Sequence, residues 1–423
     1  MMDLARSAWR SLAPRPLRRL GHPAARMLAL RRVRAALKRE EPSFTSGPVI
    51  LSGLVSDTKG VSQAARLTLV GLEAAGLAPV VQDLRSLFRG RLVRPSDLSA
   101  GPQGGVFIQH VNAPEGIAEL AAISPDDWRG RHRIGYWAYE LPRLPDDWVK
   151  ASAAYHEIWT PSRFVAEAAV ASGVTKPVRV MPHPVSLGPQ TGRRSRQQFS
   201  LSEDNLVILA MGDLLSSAER KNLIGAIRIF RSAFPAAGEA TLIIKTQSGE
   251  AHPRFAQLAR AAAEGRPDIR FLDTTVSEAA VADLIASSDI LLSPHRAEGF
   301  GLPLAEAFLM GVPALATGWS GNLDFMAGVP ELLIRHSLVP VKDPYGVYQA
   351  PGLEWAEPDP GDAVVKLRAL AQSRDLRKVL AQRGCLAVRA LEKAWSQDAL
   401  KATPWGGLAG WRSPGVDGSL SQG

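Results

Sequence analysis

From about residue 48 onward, short runs of consecutive apolar residues alternate with stretches in which apolar positions recur every three or four residues. The first pattern is that of a strand buried on both faces, the second that of a helix with one buried face. Residues 49–52 (VILS) predict such a strand. The loop SGLVSDTKG follows, then a helix with Ser62 as its cap, Ala65, Leu69 and Leu72 on one face and Gly76 at its end. A second strand is predicted over 78–82. The same order returns later: a strand over 206–211 (LVILAM), the loop GDLLSSAERK, and a helix capped by Asn222. Leu223, Ala226, Ile227, Phe230 and Phe234 make one face of that helix, Pro235 closes it, and 241–245 (TLIIK) is the next strand. Two strand–loop–helix–strand openings in one chain imply two doubly wound α/β domains.

Residues 155–160 and 178–181 read as the last strands of the first unit, and PHPVSLGPQTGRRSRQQ as a polar, Pro- and Gly-bearing linker. The second unit continues with a strand over 269–272, a helix over 277–287, strands over 289–293 and 313–316, and a helical run near 363–391. The expected division is a basic tail (1–45), two Rossmann-like domains (46–190 and 200–375), C-terminal helices that can pack back on the first domain (376–402), and a flexible tail rich in Gly, Ser and Pro (403–423). A length of 423 residues with 46% hydrophobic content suits such an architecture.

The net charge of +9 belongs to one segment. Residues 1–40 hold eleven of the 50 Lys and Arg and only Asp3 and Glu40 of the 41 acidic residues, leaving 39 of each sign elsewhere. A nucleic-acid partner is therefore opposed, because the body offers no matching basic excess. After Pro14, Pro16 and Pro23, residues 24–38 predict a helix with Leu30, Val33 and Leu37 on one side among arginines. Such a piece suits an anionic membrane surface, a solvated arm or an arginine-rich transit peptide. No run approaches the roughly 18 apolar residues of a membrane span, and no signal peptide is expected. Cys385 is the only cysteine, which excludes an internal disulfide framework, and no Cys/His cluster has zinc spacing; a reducing cytoplasm is the expected location.

The stretch from Ser293 to Thr317, SPHRAEGFGLPLAEAFLMGVPALAT, carries the most chemistry. An apolar strand ends at Ser293, the chain turns through His295, Arg296, Ala297, Glu298, Gly299, Phe300 and Gly301, and Pro303 suits the first turn of a helix. In a doubly wound sheet this turn lies at the carboxyl edge, where ligands bind and where free N–H groups at a helix start favour phosphate. Glu298 and Glu306, before and inside the helix, can accept hydrogen bonds from different hydroxyls of one elongated ligand. The bland alternative is two solvated glutamates at a helix start.

The unit HRAEGFGLPLAEA followed by GVPALATGWSGN resembles the donor-site signature of retaining glycosyltransferases of family 4. GVSQAAR at 60–66, IQHVNAP at 108–114, IGYWAYELPRLPDDW at 134–148, EIWTPSRF at 157–164 and ERKN at 219–222 agree with it. The resemblance implies the GT-B fold, two Rossmann-like domains facing across a cleft, with an acceptor side (46–190) and a nucleotide-sugar side (200–375). It implies that Glu298 contacts donor-sugar hydroxyls, Glu306 the ribose, and Gly299, Phe300 and Gly301 the sugar and diphosphate through backbone N–H groups. Lys221 would neutralise the departing diphosphate. Arg220 would replace an arginine that the family places after the preceding strand, where this chain has Gly212-Asp213. Gly60, with Lys59, would face the phosphates from the first domain, and His110 would stand beside the reacting carbon on the acceptor side. Lys221 and His110 also admit readings as a surface lysine and a structural histidine. His183 is read as structural, and Tyr136, Trp137 and Tyr139 as core or cleft wall, with Glu140 and Trp137 at family-like positions.

The family mechanism retains anomeric configuration through positioning and charge stabilisation. No Asp-x-Asp triplet occurs in the chain, so the expected reaction needs no metal and no cofactor, only a nucleotide-sugar donor, with GDP-mannose ahead of UDP-sugars. The acceptor would be a saccharide or lipid-linked saccharide of surface-polysaccharide synthesis, and the place the cytoplasm, with residues 1–40 on the inner membrane face. A sugar-nucleotide epimerase-like enzyme and a non-catalytic scaffold are the competing classes.

Overall fold

The computed structural model describes residues 15–38, 44–56, 60–84, 104–188, 192–247, 249–348 and 351–411. Helix α1 (Arg15–Leu37) precedes a first set of elements: β1 (Val49–Gly53), α2 (Gly60–Ala74), β2 (Val80–Asp83), β3 (Val106–His110), α3 (Ala113–Ala122), β4 (His132–Tyr136), β5 (Glu157–Thr160), α4 (Arg163–Ala171) and β6 (Val178–Val180). The strands form one parallel sheet in the order β2-β1-β3-β4-β5-β6. The period-2 alternation of strand side chains divides its core in two. Ile50 and Phe107 face one side, with Trp128, Trp137 and Trp148. Val49, Leu51, Val106 and Ile108 face the other, with Leu72 of α2.

The second set is β7 (Leu206–Asp213), α5 (Leu223–Ala233), β8 (Ala240–Gln247), α6 (Pro253–Ala263), β9 (Ile269–Asp273), α7 (Glu278–Ala286), β10 (Ile290–Ser293), α8 (Leu302–Leu309), β11 (Ala314–Thr317) and β12 (Leu333–Ile334). Its sheet is also parallel, in the order β12-β11-β10-β7-β8-β9. The chain order reverses between β1 and β3 in one sheet and between β7 and β10 in the other. Each reversal opens a crevice at the carboxyl edge, and the two crevices face each other. An antiparallel pair, β13 (His336–Pro340) and β14 (Glu354–Pro358), was not legible in the pattern. Then come α9 (Pro360–Gln372), α10 (Arg374–Ala390) and α11 (Gln397–Lys401).

Four expectations are corrected. The apolar stripe of α1 does not face outward: Val33 is 1% exposed and packs with Ala29, Leu30, Ala36 and Leu37 against the first domain's core, beside α3. Arg26 pairs with Asp147 at 3.3 Å, so the described part of residues 1–45 is docked rather than a free tail. Residues 403–411 are not frayed, because Trp405 is fully buried, Ala409 bridges to Gly47 and Trp411 to Leu77. The remainder of that tail, 412–423, lies outside the described residues. The helical run near 363–391 is broken at Ser373, whose side chain accepts from Leu376 N and caps α10. Helix α2 begins at Gly60, two residues before the expected cap Ser62, whose hydroxyl is buried inside the first turn. Among the described residues no helix is long and apolar enough to cross a membrane.

Candidate active site

A cavity of about 450 Å³ separates the two carboxyl edges. Its second-domain wall begins where β7 ends. Asp213 closes the strand by accepting from Leu215 N, Ser217 adopts φ 74°, and a single helical turn, Ala218–Lys221, presents two cations before Asn222 caps α5 through Gly225 N. Asn222 also donates to Pro294 O at 2.8 Å, which ties this loop to the turn after β10.

Arg220 is 2% exposed and donates to Ser216 O and, at 2.8 Å, to Ala297 O. Its guanidinium lies 3.2 Å from the Glu298 carboxylate, while Lys221 Nζ meets the other Glu298 oxygen at 2.5 Å. Burial alone would push the Glu298 carboxyl up, but the charges of Lys221 and Arg220 win and hold it at about 2. The turn is fixed from below: Ser320 Oγ accepts from Glu298 N at 2.8 Å, and His295 Nε2 is in hydrogen-bonding contact with Asn322 Oδ1 at 3.2 Å. Gly299 accepts from Ser162 Oγ at 2.6 Å across the domain boundary. Gly301 has φ +95°, the left-handed region that glycine enters without strain, and it delivers the chain into α8 at the cavity wall, where Pro303 has no N–H and Leu304 N and Ala305 N donate back to Gly301 O, so the first turn offers a ligand the N–H of Leu302. The Phe300 side chain points into the core against Phe325 and the edge of His183, so only its backbone is offered to a ligand. Glu306, inside α8, is half-buried and its carboxyl is pushed up to about 7, because desolvation outweighs the hydrogen bond it accepts from Gln63 of α2.

The first-domain wall carries Gly60 at the start of α2, where nothing stands within 4 Å of the missing side chain. His110 ends β3, its Nδ1 3.0 Å from Thr68 Oγ1 and its ring edge-on to Tyr136. Burial, and secondarily His183, keep it neutral. Tyr136 has one phenolic proton, which goes to Met181 O at 2.6 Å; His183 Nδ1, at 2.9 Å, therefore donates to Tyr136 and leaves its Nε2 lone pair free. His183 lines the cavity as well, which its reading as structural did not anticipate.

All nine residues singled out from the sequence thus line one cavity: Glu298, Lys221, His110, Glu306, Gly299, Phe300, Gly301, Arg220 and Gly60. Lys59 lies outside the described residues. Sequence reasoning missed Gln63, three residues after Gly60 in the same motif, and gave Glu140 no role, although both line the cavity. Among the described residues no group of three or more His, Cys, Asp or Glu side chains could hold a metal ion. With the buried Arg220 and the half-buried Lys221 next to a carboxylate, a second carboxylate inside α8 and the Leu302 N–H between them, the cavity can hold an anionic, hydroxyl-rich ligand.

Three solved structures illustrate the fold. The E. coli trehalose-6-phosphate protein bound with UDP-2-fluoro glucose is 12% identical, with 85% of this chain and 100% of that chain covered and a TM-score of 0.56. Sucrose-phosphate synthase from Thermosynechococcus elongatus is 14% identical over 84% of this chain and 96% of that one, at TM-score 0.58. A glycosyltransferase from Rickettsia africae ESF-5 is 14% identical over 85% and 96%, at TM-score 0.55. At this identity the likeness shows the architecture, which is GT-B. No curated protein sequence matches the chain. The family model for family 4 glycosyltransferases in conflict systems matches residues 162–390, more than half of the chain, which spans α4 and the whole second domain with its Arg220, Lys221, Glu298 and Glu306. The chain therefore belongs to the family 4 glycosyltransferases of conflict systems, on a GT-B fold.

Proposed function

We propose that the protein moves a hexose from a nucleotide sugar to a saccharide or lipid-linked saccharide acceptor, with retention and without a metal ion, in surface-polysaccharide synthesis. The observation that carries this reading is the Arg220–Lys221–Glu298 cluster at the β7/β10 crevice, with Glu306 farther along the same wall. In this reading the diphosphate lies on Lys221, Arg220 and the Leu302 N–H at the start of α8. The glycosidic C–O bond to phosphate breaks with its electron pair going to the diphosphate, which Lys221 neutralises, and the acceptor oxygen bonds the anomeric carbon from the same face. Glu298 orients the sugar, Glu306 holds the ribose, and neutral His110 stands beside the incoming hydroxyl, whose proton passes to the departing diphosphate oxygen on the same face. Arg220 and Lys221 supply the charge that a divalent metal would otherwise bring.

GDP-mannose is the first donor to try, and the UDP-hexose held by the E. coli fold relative keeps UDP-sugars on the panel. The cytoplasmic face of a membrane remains the proposed place, now through the outward side of α1, where Met27, Leu28, Arg31 and Arg32 are exposed. The test is a thermal-shift screen against GDP-, UDP- and dTDP-sugars. A ligand at about 100 times its dissociation constant adds about 2.7 kcal/mol to the stability of the folded state. A rise in melting temperature with one class is expected; no rise with any overturns the proposal.

A pH dependence follows from Glu306. Ribose hydroxyls need an ionised acceptor, and the free carboxyl titrates at about 7, whereas the doubly esterified diphosphate of a nucleotide sugar has no proton to lose there. Affinity for the nucleotide sugar is expected to rise roughly tenfold from pH 6 to pH 8 as the carboxylate fraction grows. Calorimetry on wild type and Glu306→Gln checks it: the variant's profile is expected to be flat, and a flat wild-type profile removes Glu306 from the ribose.

A further inference from the structure

Glu140 sits on the loop after β4, on the first-domain side of the cavity, and has no role in the scheme above. Its carboxylate is held from two directions. Tyr348 Oη donates to one oxygen at 2.6 Å, and Arg220 Nη2 stands 3.6 Å from the other. The same guanidinium meets Glu298 at 3.2 Å through its other arm. Glu140 and Glu298 therefore flank one buried cation, from opposite domains, and both face the cavity.

Tyr348 is itself built into place. It belongs to the connection between β13 and β14, where the Asp343 carboxylate accepts from the backbone N–H of Tyr345, Val347 and Tyr348, each at 3.0 Å. Its ring packs with Leu141, Trp355 and Tyr139 in a small apolar cluster that joins the two domains. Trp355 in turn lies under Arg296, whose Nε donates to Glu357 at 2.7 Å. The β13–β14 hairpin thus supports both the loop that carries Glu298 and the carboxylate of Glu140.

Resting on the donor reading, we infer that Glu140 is a second carboxylate for the hydroxyls of the transferred sugar, and that Tyr348 is its positioning residue. A carboxylate has about four lone-pair sites, and Tyr348 uses one at hydrogen-bond distance; the rest of the group faces the cavity beside Glu298. Two carboxylates on either side of a sugar fit a neutral, hydroxyl-bearing hexose and repel a uronosyl unit, with the Arg220 guanidinium between them as the ion-pair partner of both. A latch between the domains would need only the phenol and a neutral acceptor, not a charge at the cavity wall.

The probes are UDP, UDP-glucose, GDP and GDP-mannose, measured by calorimetry on wild type, Glu140→Gln and Tyr348→Phe, with melting temperatures recorded. The quantity read is the affinity for the nucleotide sugar relative to its parent nucleoside diphosphate. Glu140→Gln is expected to lower that ratio roughly ten- to hundredfold, the span of one hydrogen bond to a charged group. Tyr348→Phe is expected to lower it by less, in the same direction, and the nucleoside diphosphate alone is expected to bind within about twofold of wild type. A ratio unchanged in Glu140→Gln overturns the inference, as does a loss of both affinities in proportion, which marks a structural latch. Wild-type protein that binds neither sugar nucleotide overturns the donor reading and this one with it.

Discussion

Exchange of Lys221 for methionine is expected to lower transfer from the nucleotide sugar by about 10²–10³-fold, most of it in kcat. Charge on the departing diphosphate is larger in the transition state than in the bound donor, so a cation at that point acts on the rate more than on binding. The structure gives the residue little freedom. Gly212, at the end of β7, leaves room for the lysine stem: a Cβ there would stand 2.9 Å from Lys221 Cγ. Nζ ends 2.5 Å from Glu298. Methionine keeps the unbranched stem and removes the charge, and Glu298 keeps Arg220 at 3.2 Å, so no buried carboxylate is left without a cation. Lys221→Arg is not expected to restore the rate, because a planar fork beside Arg220 cannot reproduce a compact ammonium in that space. Single-turnover kinetics with a bound donor separate the two effects. A kcat within threefold of wild type would remove Lys221 from the leaving group.

The parts of this site that were legible in the sequence are those whose residues are neighbours in the chain. Glu298, Gly299, Gly301 and Glu306 lie on one strand–turn–helix, and Arg220, Lys221 and Asn222 on another, so local periodicity and capping placed both at a carboxyl edge. Contacts made across the cleft leave no such trace. Gln63 reaches Glu306 over 243 positions and Tyr348 reaches Glu140 over 208, and no spacing rule connects them. The stripe of Leu30, Val33 and Leu37 was visible, but an amphipathic face does not say what covers it; a membrane and the flank of α3 offer the same apolar surface. At the C-terminus, Gly and Ser outnumber the apolar residues, yet Trp405 is fully buried and Trp411 packs half-buried against the same cluster, and two large rings outweigh the composition of the residues between them.

Trp395→Ala is expected to destabilise the first domain by about 3–5 kcal/mol, the range for deleting a large buried aromatic. The reason lies in how that domain is covered. The face of its sheet that carries Val49, Leu51, Val106, Ile108 and Trp159 has α2 over part of it, and Trp395, Leu400 and Trp405 from the far end of the chain over the rest. Trp395 is 2% exposed, stands edge-on to Trp159 at 5.9 Å, and donates from Nε1 to Pro182 O at 2.6 Å. Gly71 of α2 makes the space, since a Cβ there would fall 2.6 Å from the indole. Alanine would open a void among these rings and leave the Pro182 carbonyl without its donor. Pro182 adjoins His183, so the loss is expected to reach the cavity wall as weaker nucleotide-sugar binding at temperatures where the protein is still folded. Urea unfolding of both proteins, followed by tryptophan fluorescence and by proteolysis within residues 391–411, measures the effect. A change below about 1 kcal/mol, smaller than a buried aromatic allows, with those residues equally protected in both proteins, would mean that the C-terminal segment is not part of the first domain's core.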